Sequence, residues 1–253
     1  MKTITLSNQK GGVAKTTTTG ALASGLSQRG YKVLAVDTDP QCNLSLSSGV
    51  DILSMDQTLY DVFKGTADLQ DTIQKTDLGY DLSTGGLNLA VADMEFTQTG
   101  REFMLREALD SVKADYDFCI IDTPPTIGIL TVNALTASDS VVIPLTADLY
   151  SIQGLSQLNG MIERVRKYSN KDLKIAGLLI TRHDERTNIS KALQDQITRT
   201  AEKLGTKVFK QPIRNSVAVR ESQVMKSDIF TEAPKANATK DYTAFIDELL
   251  KGE

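Results

Sequence analysis

The chain has 253 residues, of which 40% are hydrophobic and 24% are charged, and its net charge is −4. This length is enough to bury one sizeable core, and no apolar run approaches the roughly 20 residues that a membrane-spanning helix requires. The two cysteines, Cys42 and Cys119, lack metal-binding spacing, and a single histidine, His183, argues against histidine-based metal sites. Met1 and Lys2 lead directly into the first apolar run, so the sequence predicts no signal peptide and a cytoplasmic protein with reduced thiols.

Strand and helix patterns alternate along the whole chain. We expect strands at Thr3–Ser7, Lys32–Val36, Tyr80–Thr84, Asp117–Ile121, Ser140–Pro144, Lys174–Thr181 and Lys207–Phe209. We expect helices at Thr16–Gln28, Arg101–Lys113, Gly128–Thr136, Ile152–Tyr168, Ile189–Lys203 and Lys240–Lys251, with short helices in the less regular residues 49–79. Continuously apolar strands such as residues 118–121 are typical of buried parallel strands. The sequence therefore predicts one α/β domain over residues 1–253, with a mostly parallel, twisted sheet and helices on both faces.

A glycine-rich turn between the first predicted strand and helix carries the strongest functional signal. It reads Lys10-Gly11-Gly12-Val13-Ala14-Lys15-Thr16-Thr17. Glycines let backbone N–H groups converge on phosphate oxygens, and the following helix N-terminus adds positive potential. In such a loop Lys15 reaches the β- and γ-phosphates and the Thr16 hydroxyl binds Mg²⁺. The spacing therefore predicts a nucleoside triphosphate site.

Carboxylates follow two of the predicted strands. Asp37 and Asp39 lie at the end of the second strand, and Asp122 closes the strand over residues 117–121. Ligands of open α/β sheets bind at the carboxyl ends of strands, so all three side chains are expected beside the glycine-rich turn. One carboxylate of the first pair could orient the attacking water, and Asp122 is placed to hold Mg²⁺.

The turn departs from the usual G-x-x-x-x-G-K-[ST] pattern, with Lys10 at its first position and Ala14 at its sixth. The resulting K-G-G-x-x-K-[ST] string resembles the deviant Walker A box of the ParA/MinD group of P-loop ATPases. The resemblance implies that Lys10 reaches across a dimer to the partner's nucleotide. Most members of the group have Gly where this chain has Ala14. We expect a negative φ at Ala14, as at the start of a helix, so that alanine fits there without strain.

Two further strings support the same resemblance. Residues 37–41, D-T-D-P-Q, resemble a Walker A′ motif, in which Asp39 positions water and Asp37 supports it. Residues 122–125, D-T-P-P, resemble the Walker B form of the ParA family. The resemblance implies an ATP hydrolase that uses ATP and Mg²⁺. The residues it assigns to catalysis are Lys10, Lys15 and Asp39; those assigned to the metal are Thr16 and Asp122; those assigned to the nucleotide are Lys10, Gly11, Gly12, Val13, Ala14, Lys15, Thr16, Thr17 and Pro212.

Charge and resemblance together indicate a polyanion-binding face. Between Glu163 and Lys226 there are 15 Lys and Arg against 7 Asp and Glu, whereas the rest of the chain is acidic. By resemblance, Arg186 and Arg220 belong to a DNA-binding face, although ordinary exposed charges would give the same pattern. The string that follows Arg220, Ser222-Gln223-Val224, departs from the commoner S-E-A-P ending of the family.

The motifs occur in family order over residues 1 to about 250, and they resemble a short ParA/Soj-type DNA-partition ATPase. That resemblance implies a cytoplasmic, nucleoid-associated protein of bacterial type and an ATP-dependent homodimer. It also implies non-specific DNA and a ParB-like centromere-binding adaptor as partners, and no membrane. Because Met1 abuts the first strand, we expect no N-terminal helix-turn-helix segment.

Three alternatives remain open from the sequence. A MinD-like membrane-cycling ATPase requires a basic amphipathic C-terminal helix, whereas residues 244–253 contain several acidic side chains. A metal-cluster carrier of the same superfamily requires bridging cysteines, for which Cys42 and Cys119 are unsuitably spaced. A non-hydrolysing adaptor would not require both Asp39 and Asp122.

Overall fold

The computed structural model of the protein describes residues 1–183 and 188–252, apart from the side chains of residues 149, 150, 152, 153 and 188–192. Seven strands form one sheet in the order β3-β4-β2-β5-β1-β6-β7. Their bounds are β1 (Lys2–Leu6), β2 (Val33–Asp37), β3 (Ile73–Lys75), β4 (Asp81–Ser83), β5 (Phe118–Asp122), β6 (Ser140–Thr146) and β7 (Lys174–Thr181). All neighbouring pairs are parallel except β3 with β4. The strand β1 lies between β5 and β6, so its carboxyl end opens at the middle of the sheet edge.

Helices follow most strands and cover both faces of the sheet. They are α1 (Lys15–Ser27), α2 (Asn43–Ser47), α3 (Leu59–Lys64), α4 (Ala92–Glu95), α5 (Met104–Asp110), α6 (Ile129–Thr136), α7 (Leu149–Tyr168), α8 (Asn188–Lys203), α9 (Val217–Val224), α10 (Ile229–Glu232) and α11 (Asn237–Lys251). Single 3₁₀ turns occur at Leu69–Thr72, Leu87–Val91 and Arg101–Phe103. This arrangement confirms the predicted α/β fold with a mostly parallel sheet.

Alternating strand residues place the core on the two sides of the sheet. In β5, Ile120 packs in a cluster with residues of α1 and α11, whereas its neighbour Ile121 packs in a cluster with residues of α3, α5 and α6. A third cluster joins β6 and β7 to α7 and α8. Because strand side chains alternate between faces, a fully apolar strand such as β5 requires this cover on both sides.

Several predicted elements differ from those observed. The predicted strand Lys207–Phe209 is wrong, because the segment makes a single bridge, between Val208 and Leu178, rather than a ladder. The antiparallel strand β3 went unpredicted within the irregular residues 49–79, which also hold α3. The predicted helix Arg101–Lys113 is a 3₁₀ turn followed by the shorter α5.

The helices α7 and α11 both begin three residues earlier than predicted. For α7 the cause is a cap, because the Asp148 carboxylate accepts a hydrogen bond from the Ser151 backbone N–H. Within the described ranges, no helix is both long enough and apolar enough to span a bilayer.

Candidate nucleotide-binding site

The glycine-rich turn lies between β1 and α1, at the open edge of the sheet. Gly12 has a left-handed backbone, with φ +76°, which glycine adopts at little cost. Val13 is buried, and the Thr181 hydroxyl at the end of β7 donates a hydrogen bond of 3.1 Å to its carbonyl oxygen. The turn is therefore fixed at both its own strand and a second strand of the sheet.

Ala14 does not have the negative φ that we expected. Its φ is +61° and its ψ is +34°, which is the left-handed helical region. The expectation of a helical φ fails because Ala14 lies just outside α1 and not in its first turn; its carbonyl oxygen accepts the first helical hydrogen bond, from Thr18 N–H at 2.9 Å. An L-residue in this conformation is strained by about 1–2 kcal/mol, so the turn holds stored strain at this alanine.

Thr16 and Asp122 meet where α1 begins and β5 ends. The Thr16 hydroxyl donates a hydrogen bond of 2.6 Å to one carboxylate oxygen of Asp122, and Thr19 Oγ1 lies 3.2 Å from the other. Asp122 is fully buried, and burial raises its pKa to about 8. Nearby Asp37 adds to this effect, whereas the Thr16 hydrogen bond and the Lys15 ammonium group oppose it.

This pair of oxygen ligands fits Mg²⁺. A hydroxyl and a carboxylate together leave most coordination positions of the ion to phosphate oxygens and water, as magnesium prefers. Among the described residues, no group of three or more His, Cys, Asp or Glu side chains could hold a metal without such help. In addition, Gln9 Nε2, at the start of the turn, is buried without a hydrogen-bond partner among the described residues. A buried unpaired donor is costly, and an oxygen-rich ligand at the turn would relieve this cost.

A cavity of about 780 Å³ lies over the turn. This volume is within the range of small-molecule sites. Its lining includes Gly11, Gly12, Ala14, Lys15, Thr16, Thr17, Asp39, Arg182, Arg220 and Lys226. Lys15 is only 7% exposed, and burial lowers its pKa although Asp122 and Asp39 oppose the shift. The cavity is thus lined by backbone and cationic groups suited to an anionic ligand.

Asp37 and Asp39 occupy different environments. Asp37 is fully buried and accepts hydrogen bonds from the Ser45 N–H at 2.9 Å and the Ser45 hydroxyl at 2.8 Å. Burial raises the pKa of Asp37 to about 6. Asp39 lines the cavity and accepts a hydrogen bond of 2.9 Å from the Gln41 N–H. The buried position of Asp37 and the position of Asp39 at the cavity are compatible with their predicted roles. That Asp39 positions the attacking water stays a prediction.

Lys10 is not among the residues that line the cavity. Its ammonium group forms an ion pair with Asp148 and lies 3.1 Å from Thr146 Oγ1 and 3.5 Å from Ser151 Oγ. Burial alone would raise the pKa of Asp148, but hydrogen bonds from Lys10, Thr146 and the Ser151 backbone outweigh it and lower that pKa to about 2. Lys10 is therefore held within its own chain, and its predicted reach into a partner subunit stays a prediction.

The structure brings one of the two predicted DNA-binding arginines to the site. Arg220 lies exposed on α9 and lines the cavity, whereas Arg186 lies outside the described residues. Residues 213–216 line a neighbouring cavity of about 220 Å³ beside Thr17, but Pro212 is not part of its lining. The assignments of Pro212 to the nucleotide and of both arginines to DNA stay predictions.

Sequence reasoning assigned no role to three residues of the site: Asp148, Arg182 and Gln223. Asp148 lies 138 positions from Lys10, so no local pattern could link them. Arg182 has φ +50° and overhangs the turn, since a Cβ placed on Gly12 would lie 3.8 Å from its Nη1. Gln223 Nε2 donates a hydrogen bond of 3.1 Å to Thr17 Oγ1. The departure of residues 222–224 from the family ending was the one available signal for Gln223.

Comparisons with known proteins agree with this geometry. A family model described as an AAA domain matches residues 1–175. The sporulation initiation inhibitor protein Soj of Bacillus subtilis is 38% identical over 98% of this chain and 98% of its own length. The chromosome partitioning protein ParA of Caulobacter vibrioides is 35% identical over 100% of this chain and 95% of its own.

Two solved structures are similar along nearly the whole chain. Cobyrinic acid a,c-diamide synthase from Mycobacterium smegmatis, with a bound ATP analogue and magnesium, has a TM-score of 0.87 at 32% identity and covers 99% of this chain and 95% of its own. A putative plasmid partition protein from Borrelia burgdorferi, bound to AMPPNP, has a TM-score of 0.84 at 25% identity and covers 99% and 98%.

The fold and the turn with its Thr16–Asp122 pair define a P-loop nucleotide-binding protein of the deviant Walker A type. Given the matching family and the relatives above 30% identity over almost the full length, the chain belongs to the ParA/Soj group of ParA/MinD ATPases.

Proposed function

We propose that this protein is an ATPase that partitions plasmid or chromosomal DNA. Its cofactors are ATP and Mg²⁺. The observation that carries the proposal is that Lys15 and the hydrogen-bonded pair Thr16–Asp122 occur in one turn together with the additional Lys10. The chain that carries this turn is similar to Soj and ParA along its whole length. The names of those relatives refer to chromosome partitioning or sporulation control, and the plasmid partition protein of Borrelia extends the same likeness.

Hydrolysis follows from the positions of the residues around the turn. Backbone N–H groups of the turn and the Lys15 ammonium group bind the β- and γ-phosphates, and Thr16 with Asp122 holds the metal. When bound there, Mg²⁺ would supply positive charge to stabilise the transferring phosphoryl group. Asp39, at the cavity wall, orients the attacking water. Lys10 leaves Asp148 and completes the site of a second protomer, so that nucleotide is buried between two chains.

The dimer is the form that binds DNA. Two protomers align their basic residues, among them Arg220 and Arg186, into one surface that contacts the phosphate backbone. Because such contacts release counterions, the affinity should fall steeply with salt and depend little on sequence. A ParB-like adaptor stimulates hydrolysis, which separates the dimer and releases the DNA. The protein would accordingly be found on the nucleoid, in the cytoplasm of a bacterium.

The packing of the C-terminal helix α11 favours DNA, and not a membrane, as the partner of this protein. In α11 the apolar side chains Tyr242, Phe245, Ile246 and Leu249 are at most 2% exposed and pack in the cluster that also holds Leu22 and Leu26 of α1. A membrane-docking helix must present its apolar face to lipid. In this chain that face is already used in the core, which makes the MinD-like alternative the weaker of the two.

DNA binding measured with no nucleotide, with ADP and with ATP, across a salt series, tests the proposal. We expect binding to random-sequence duplex only with ATP, and a steep loss of affinity as salt increases. Lys15→Ala should abolish nucleotide binding and with it DNA binding, whereas Lys113→Ala, at an exposed surface lysine, should behave as wild type. Equal DNA affinity in all three nucleotide states would overturn the proposal. A liposome sedimentation assay with ATP is the matching test of the MinD-like alternative.

A further inference from the structure

The helix α9 is weakly anchored to the rest of the protein. Ser222 is the one buried residue of its eight, Val219 is half-buried against the core cluster of α1 and α11, and Val217 and Val224 are 57% and 81% exposed. A cavity of about 50 Å³ separates α9 from α1, and the cavity of about 220 Å³ lies between α9 and residues 213–216. Close apolar packing holds helices in place, so an element bordered by voids on two sides has room to shift.

One polar contact joins α9 to the helix that follows the nucleotide-binding turn. Gln223 Nε2 donates a hydrogen bond of 3.1 Å to Thr17 Oγ1. In the described part of the chain, no other side-chain hydrogen bond connects α9 with α1. Thr17 directly follows Thr16, whose hydroxyl contacts Asp122. The link from α9 therefore ends one residue from the proposed metal ligand.

The chemistry of an amide suits this position. A hydroxyl group has one hydrogen to donate and can accept others. Because the Gln223 amide donates, the Thr17 hydrogen remains available for an anionic ligand in the cavity. A glutamate, which the commoner S-E-A-P ending of the family would place here, can only accept and would take that hydrogen.

The same helix carries the cations at the cavity mouth. Arg220 lies three residues before Gln223, about one helical turn, and both line the cavity over the turn. Lys226 follows α9 and lines the same cavity. Any shift of α9 relative to Thr17 therefore moves Arg220 and Lys226 together.

We propose that Gln223 is a positioning residue that couples the nucleotide site to the DNA-binding surface. A nucleotide fixes Thr17, Thr17 fixes Gln223, and α9 then holds Arg220 and Lys226 in the arrangement that contacts a phosphate backbone. Without nucleotide the link is loose and α9 samples other positions. This inference rests on the proposed function, since it assigns to Gln223 a part in nucleotide-controlled DNA binding.

Two measurements on the full-length protein separate the inference from the proposed function. Amide hydrogen exchange over residues 217–224, with and without a non-hydrolysable ATP analogue and Mg²⁺, reports the coupling and needs no DNA. DNA affinity under the same conditions reports the function. The variants are Gln223→Met, which keeps the length of the side chain but not the hydrogen bond, and Gln223→Glu, which reverses its direction. The control is Val217→Ala, because Val217 lies on the same helix but lines neither the cavity of about 220 Å³ nor the cavity of about 780 Å³.

In the wild type and in Val217→Ala, the analogue should slow exchange over residues 217–224 about fivefold or more, a magnitude typical of coupled sites. In Gln223→Met this difference should disappear, and the increase of DNA affinity by the analogue should fall by a similar factor, whereas Gln223→Glu, which still accepts a hydrogen bond from Thr17, should keep part of the difference. A purely structural role would instead speed exchange equally with and without nucleotide. Unchanged protection by the analogue in Gln223→Met would overturn the inference. Nucleotide-dependent protection of α9 without nucleotide-dependent DNA binding in the wild type would support the coupling and overturn the proposed function.

Discussion

The ammonium group of Lys10 and the carboxylate of Asp148 form an ion pair within one chain, 138 positions apart in the sequence. Asp148 also caps α7, and it holds Lys10 close to Thr146 and Ser151. In the proposed dimer Lys10 reaches the nucleotide of the partner. The intrachain pair must therefore break before the dimer closes, and the free energy needed to break it opposes dimerisation.

Asp148→Asn should make ATP-dependent dimerisation easier. The pair is partly exposed, with about a third of each side chain accessible, so its contribution is modest. Each dimer breaks two such pairs, one in each protomer, so removing pairs of about 0.5–1 kcal/mol each should tighten the dimer about five- to thirtyfold. Sedimentation velocity with a non-hydrolysable ATP analogue measures this constant. Asp247→Asn, which removes the carboxylate partner of Arg29, is the control and should leave it unchanged. A weaker dimer in Asp148→Asn would show that the pair does not oppose closure.

The pKa of Asp148 provides a test of the same contact in solution. With a native pKa of about 2, below the ordinary value of an aspartate, the contact stabilises the protein above about pH 4. This stabilisation is lost as the pH falls from about 4 to about 2. Lys10→Ala should raise the Asp148 pKa toward its ordinary value. NMR titration of the side-chain carboxyl carbon measures the shift, and an identical titration in both proteins would mean that Lys10 does not contact Asp148 in solution.

Ala14→Gly should stabilise the protein. The left-handed backbone of Ala14 is strained, and glycine relieves the strain, so we expect a gain of about 1 kcal/mol in the free energy of unfolding. Ala21→Gly is the matched control, because Ala21 lies inside α1, where the same substitution destabilises by about 1 kcal/mol. Urea denaturation measures both values. A loss of stability in Ala14→Gly would contradict the backbone conformation.

Asp122→Asn should increase the stability of the metal-free protein and weaken its metal-dependent binding of nucleotide. The raised pKa of Asp122, about 8, means that its ionisation destabilises the metal-free protein progressively as the pH rises from about 4 to about 8. The variant lacks this effect, so at pH 8.5 without Mg²⁺ its free energy of unfolding should exceed that of the wild type by at least about 1 kcal/mol. It should also lose the additional stabilisation that Mg²⁺ gives to nucleotide-bound protein. Thermal unfolding with and without Mg²⁺ and nucleotide measures both effects, with the exposed Asp110→Asn as control.

Most of the sheet could be predicted because its strands are continuously apolar and buried. The strands β2 and β5 are of this kind up to their last residue, whereas β1 alternates threonines with Ile4 and Leu6; the predicted bounds of all three are within one residue of those observed. The edge strand β3 has only half-buried or exposed residues and is three residues long, so periodicity gives it no signal. Residues 207–209 carry an apolar pattern for another reason: Phe209 packs on the core cluster of α1 and α11.

The site was predictable to the extent that its residues lie in contiguous motifs. Lys15, Thr16 and Asp122 were expected to come together, and the fold places them so. The backbone conformation of Ala14 could not be predicted from the neighbouring residues. The expected φ depends on whether Ala14 lies just before the helix or just inside it, and these two cases differ by only one residue in where the helix begins. Contacts such as Thr17 with Gln223 join side chains 206 positions apart and depend on the completed fold.

The side chains of both cysteines are buried in the interior of the protein. Cys42 and Cys119 are each 0% exposed, and burial raises the pKa of Cys42 to about 11 and that of Cys119 as well. Maleimide reagents attack thiolates, so the folded protein should present no reactive sulfur of its own. A fluorophore could therefore be attached at one chosen place, for instance through Val217→Cys, without first deleting either natural cysteine. Movement of the short helix could then be followed in real time by fluorescence.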